Sequence, residues 1–166
     1  MKNSKPLLRK YEDNLYVCGM GVIILGAWDV LKLIMQVILD AKDLFNITAD
    51  VKEDERGLAL GIIIAAVVIV FLLSILIFLV HVYIGRNAMK AAKDQPYKKG
   101  YFVWAIIILI LSVLAMYFYV DDFMEMKHIK TTIASIIVDI TSIYILAVVV
   151  VTTVKIKKLK ATQTQE

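Results

Sequence analysis

Cysteine is almost missing from this 166-residue chain, with Cys18 standing alone. One thiol cannot close an intrachain disulfide, and it cannot build a Cys-rich zinc or iron–sulfur site. Histidine is nearly as scarce. His81 and His128 fall at opposite ends of apolar runs, so they cannot share one metal ion or haem. No H-E-x-x-H, P-loop or G-x-S-x-G sequence occurs. Gly19-Met-Gly21 lacks the spacing of a nucleotide loop and, with Gly26, marks close helix packing instead. The expectation is a non-enzymatic protein with no catalytic residues, no metal site and no cofactor. Long polar connections are missing as well. None exceeds 40–57, which leaves no room for a soluble domain. A cleavable leader is not expected either, because the first fourteen residues are polar, include Pro6 and precede an apolar run without a small-residue cleavage site.

What fills the chain is apolar side chains, 60% of all residues. Soluble domains carry about 45–50%. Four runs, 15–39, 58–84, 101–120 and 129–154, are long enough to cross a bilayer, whose hydrocarbon core of about 30 Å takes about 20 helical residues. The expected fold is all-α: an integral membrane four-helix bundle in up-down-up-down order, one domain over 1–166. The basic stretch 155–166 is expected to be a disordered tail, and the arm before Leu15 to be frayed.

Basic residues give the orientation. Thirteen of the nineteen lie in the N-terminal arm (Lys2, Lys5, Arg9, Lys10), the 85–99 connection (Arg86, Lys90, Lys93, Lys98, Lys99) and the tail (Lys155, Lys157, Lys158, Lys160). Five lie on the other side, at Lys42, Lys52, Arg56, Lys127 and Lys130, among nine acids. Cytoplasmic loops carry the excess of Lys and Arg, so both termini are expected in the cytoplasm and the protein in the plasma membrane. The net charge of +4 then reads as topology and as attraction to anionic headgroups, not as a sign of nucleic acid. Arg86, Lys90 and Lys93 share a helix face opposite Ala88, Ala91 and Ala92, a basic extension that ends at Gln95-Pro96. With Lys98 and Lys99 these are the expected headgroup contacts.

Local signals set the other boundaries. The first helix is expected to reach about Phe45 and to break at 46–49. Asp50 and Glu53 form a capping box for the second helix, and Asp122 and Glu125 form one for the fourth, with Asp121 and Asp122 closing the third. Gly57, Gly61 and Ala65 repeat at four-residue spacing, a small-residue ridge that lets helix backbones approach. Packing within one bundle is the expected use of this ridge, with a dimer interface as the other.

The runs carry charge where charge is costly. An Asp or Lys at the centre of a transmembrane helix costs about 2.5–3.5 kcal/mol on insertion scales. At about 100° per residue, Asp29, Lys32, Gln36, Asp40 and Asp43 fall on one stripe of the first helix. Glu125, His128, Thr132, Ser135, Asp139 and Ser142 form a second stripe on the fourth. Asp29 and Asp139 each lie ten residues from the outer end of their run, about 15 Å deep. First and last helices are neighbours in such a bundle, so Lys32 is expected between the two carboxylates. Two functions follow. The cluster locks helix–helix assembly, with a second copy or a membrane partner. The alternative is a small proton- or cation-coupled transporter or channel that uses Asp29 or Asp139 as the ion-binding carboxylate. A Ser–Asp arrangement from Ser135, Asp139 and Ser142 lacks a base at its depth and reads as hydrogen bonding between helices.

In topology alone the chain resembles tetraspanins, claudins, MARVEL proteins and connexins, but it has none of their extracellular cysteines. An acid in the first helix is similar to small multidrug-resistance transporters. Lys32, Asp139 and the greater length set this chain apart from them.

Overall fold

The structure, a computed structural model, describes residues 4–49, 53–124 and 129–164. These form four helices: α1 (Ser4–Ala49), α2 (Glu53–Ala92), α3 (Tyr101–Met124) and α4 (Ile129–Thr164). α1 has 46 residues and α2 has 40. At about 1.5 Å per residue they are about 69 Å and about 60 Å long, roughly twice a hydrocarbon core. Three helices are long and apolar enough to cross a membrane, over Lys5–Met35, Glu55–Ala92 and Ser135–Thr162, and α3 has a shorter apolar stretch, Tyr101–Tyr117. This composition fits a membrane protein.

Helix ends depart from the sequence expectations, and each departure has a physical cause. The N-terminal arm is helical from Ser4. Pro6 is tolerated there because a first-turn N–H has no intrahelical acceptor to lose. The tail expected to lack order is helical through Thr164. Val149, Thr152, Thr153 and Ile156 are all buried, so the 3–4 spacing of a packed face continues past Lys155. α1 runs through 46–48 without a break and ends at Ala49. α3 continues past Asp121 and Asp122 to Met124, which puts Asp122 inside a helix instead of at the cap of α4. Asp50 and Glu125, the other halves of the expected capping boxes, lie outside the described residues.

The chain divides into two units. One is the chain up to Leu25 together with everything from His81 onward; the other is Gly26–Val80.

In the first unit helices meet closely. A Cβ on Gly85 would collide with the Gly19 carbonyl and Ile23, and one on Gly19 would lie 3.0 Å from the Gly85 carbonyl oxygen. A Cβ on Gly21 would lie 3.1 Å from Ile145. Gly19 and Gly21 thus serve close packing, as the sequence suggests. Gly21 faces Ile145, Tyr11 faces Lys155 and Glu12 faces Lys160. The start of α1 at Tyr11 and Glu12 meets the late part of α4, and Gly21 meets its earlier part at Ile145, so the first and last helices are antiparallel neighbours in this unit. Leu15, Val22, Ile84, Tyr101, Leu146 and Val149 form the centre of the core. The α2 face reads as expected, with Ala88, Ala91 and Ala92 buried and Arg86, Lys90 and Lys93 exposed.

The second unit holds the remainder of α1 and most of α2. The most apolar stretch of α2 has no buried residue. Leu58, Ile62, Val68, Leu72 and Leu76 are each at least half exposed, and Gly57, Gly61 and Ala65 are exposed as well. Among the described residues nothing lies within 4 Å of a Cβ placed on Gly57 or Gly61. Among the described residues the ridge expected to pack inside one bundle is open. Hydropathy does not distinguish a side chain covered by protein from one open to lipid.

Candidate functional site

Two groups of polar side chains stand out. The first is the charge carried on apolar helices. Asp29 and Lys32 lie on α1 in the second unit, both half-buried, three residues apart and therefore on one helix face. The side chains of Gln36, Asp40 and Asp43 lie outside the described ones. Ser135, Asp139 and Ser142 lie on α4 in the first unit, Ser142 buried and the other two half-buried. None of Asp29, Lys32 and Asp139 is without an interaction partner. Asp29 and Lys32 belong to the second unit, and Ser135, Asp139 and Ser142 to the first. Glu125, His128 and the Thr132 side chain lie outside the described residues.

The second group closes the basic end of the first unit, and sequence reasoning found little of it. Lys160 of α4 reaches Asp94 Oδ1 at 2.6 Å and Glu12 Oε1 at 3.4 Å, joining the end of α2, the start of α1 and the end of α4. Three more lysines lie over aromatic rings. Lys93 stands 4.5 Å from the centroid of Tyr16, Lys155 4.9 Å from Tyr11 and Lys157 4.9 Å from Phe102. A cation over a ring face gains about 0.5–1 kcal/mol at exposed sites. These contacts hold the arm and the tail as helices. Beneath them the hydroxyls of Tyr101 and Thr153 share a buried hydrogen bond of 3.0 Å, and Thr153 also donates to the Val149 carbonyl at 2.7 Å.

The turn between α2 and α3 is built with equal care. The Gln95 N–H donates to the Lys90 carbonyl and the Asp94 N–H to the Ala91 carbonyl, with Asp94 at φ 56°. This pairing satisfies the last carbonyls of α2 in a Schellman arrangement. Asp is among the few non-glycine residues that tolerate the left-handed region, and Pro96 follows where the helix can no longer continue. Asn87 then ties the turn back. Its Nδ2 donates to the Tyr83 carbonyl at 2.8 Å, and its Oδ1 accepts from the Lys98 N–H at 2.9 Å. Tyr97 packs edge-on against Tyr101, with ring centroids 5.8 Å apart.

Of the five expected headgroup residues, Arg86, Lys90, Lys98 and Lys99 are exposed around this turn, while Lys93 is occupied by the Tyr16 ring. The available signals for the missed residues were Asp94 shortly before a proline and the 3–4 spacing of Thr153 and Ile156. The partners of Lys160 had none, since they come from three separate parts of the chain. Among the described residues, no three His, Cys, Asp or Glu side chains gather as metal ligands. Comparison of the chain with protein-family models, with curated proteins and with solved structures finds no match.

Proposed function

We propose that this chain is a multi-pass membrane protein, both termini cytoplasmic, that works by assembling through α2 with a second copy or another membrane helix. The observation that carries this reading is the open ridge. Gly57 and Gly61 sit at four-residue spacing on an apolar helix with nothing within 4 Å among the described residues, whereas Gly19, Gly21 and Gly85 are filled by neighbours. Small residues spaced in this way let two backbones approach inside a bilayer, where van der Waals contact drives association. The 13-to-5 distribution of Lys and Arg supports the orientation. Asp29 and Lys32 add polar groups to the same unit, and such groups in apolar helices are costly unless protein or water receives them.

The test is energy transfer between labelled copies reconstituted in liposomes at decreasing protein-to-lipid ratio. Self-assembly predicts transfer that persists on dilution and is lost in Gly57→Leu/Gly61→Leu. If no transfer occurs, co-purification from native membranes must yield a partner that the same double substitution releases; failing both, the assembly reading falls. Flux of protons or alkali cations in the same liposomes, abolished by Asp29→Asn or Asp139→Asn in a folded protein, would establish transport in its place.

A further inference from the structure

The geometry points to an anionic phospholipid site on the α2–α3 turn, made by Arg86, Lys90, Lys98 and Lys99 around Asn87. Arg86 and Lys90 are four residues apart on α2, so they are neighbours on one face. Like charges at that spacing repel, and an anion between them removes the cost. The Lys98 N–H is bound to Asn87 Oδ1, so the backbone at Lys98, followed by Lys99, returns to the α2 turn that carries both residues. All four side chains are exposed, and among the described residues none takes part in an ion pair. The nearest acid in sequence, Asp94, is held by Lys160.

The turn is fixed before any ligand arrives. The Schellman hydrogen bonds, the two bonds of Asn87 and the Tyr97–Tyr101 contact leave little backbone freedom to lose on binding. Four unneutralised cations in a fixed turn match a phosphate-bearing headgroup. The surroundings select a lipid as the bearer of that phosphate. Tyr83 and Tyr97, half-buried, and Trp104, exposed, flank the turn in sequence, and aromatics of this kind favour the membrane interface. Val103, Trp104 and Ile107, in the first two turns of α3, are exposed apolar side chains beside which acyl chains would lie. Lys93, Lys155, Lys157 and Lys160 take no part, because aromatic rings or carboxylates already hold them. The proposal rests on membrane insertion with this end at the surface. It does not depend on assembly through α2.

The test uses the full chain in phosphatidylcholine nanodiscs with 20% spin-labelled phosphatidylglycerol, read as the motionally restricted lipid fraction by electron paramagnetic resonance. Wild type should hold the anionic lipid in preference to spin-labelled phosphatidylcholine. Each cation removed from a surface site weakens an anionic contact about fivefold, so R86Q/K90Q/K98Q/K99Q should abolish the preference. The charge-matched control K5Q/R9Q/K10Q/K158Q, all exposed positions, should retain it. Asn87→Ala keeps every charge and frees the turn, and should lower the preference severalfold. Equal loss in both quadruple variants would reduce the site to unspecific surface charge and overturn it. So would a wild type without preference, an Asn87→Ala protein with undiminished preference, or full displacement by millimolar inorganic phosphate.

Discussion

The two units of this chain use the same residue types in opposite ways. Every buried apolar side chain among the described residues lies in the first unit, from Leu15 and Val22 to Leu146, Val149 and Ile156. In the second, Leu58, Ile62, Leu72 and Leu76 point outward. Glycine repeats the contrast: Gly19 and Gly85 are pressed between helices, while Gly57 and Gly61 stand open. Lysine in the first unit is bound into the fold through Lys93, Lys155, Lys157 and Lys160. The first unit thus packs a core of its own beneath an apolar exterior that includes Val17, Ile24 and Leu114, whereas the second has no buried apolar side chain among the described residues and presents an apolar surface that lipid or another helix must cover. In water such a surface would be unstable, because apolar area exposed to solvent costs about 25 cal/mol per Å². In a bilayer it costs nothing until something displaces the lipid.

Substitutions can break this contrast, and the glycines should do so most sharply. Gly85→Leu drives a side chain into the Gly19 backbone and Ile23. It should destabilise the protein by about 3 kcal/mol or more, beyond ordinary overpacking, or prevent folding. Gly61→Leu meets open space and should leave unfolding of the isolated chain in detergent within about 0.5 kcal/mol of wild type. Denaturant titration of helix content reads both, and similar losses would erase the distinction. Next in size is Leu146→Ala, a buried truncation expected to cost about 2–5 kcal/mol. Leu72→Ala, on the exposed surface, should fall within about 0.5 kcal/mol of wild type.

Tyr101→Phe removes a buried hydroxyl bond and should cost about 1 kcal/mol. The loss is limited because Thr153 keeps its bond to the Val149 carbonyl. An effect of similar size is expected at Asp94. Asp94→Ala loses the exposed contact with Lys160 and keeps a strained φ, so it should cost about 1 kcal/mol, of which salt screens the ionic part. Asp94→Gly loses the same contact but relieves the left-handed backbone, and should be the more stable of the two. The reverse order would remove the Schellman account of this turn.

Much of the fold is legible in the sequence because four apolar runs and short connections leave few arrangements. The antiparallel pairing of α1 with α4 follows from that economy, and the glycines at 19 and 21 mark a close contact. Helix ends are less legible. Pro6 reads as a breaker until its place in the first turn is known, and the lysines of the tail read as solvated until Tyr11 and Phe102 lie beneath two of them. The polar stripes are legible as spacing, but their division between two units depends on how much of each helix is packed by protein. Hydropathy carries no record of that. The Lys160 contacts are hardest to read, since Glu12 and Asp94 come from distant parts of the chain.

The central claim is that protein, not lipid alone, covers the ridge on α2. A photocrosslinking residue introduced as Gly61→benzoylphenylalanine tests it in native membranes, with Leu72→benzoylphenylalanine as the reference on the same helix. The account predicts a discrete protein adduct at position 61, a second copy or one partner, at a yield at least several times that at position 72. Lipid adducts alone at both positions would contradict it.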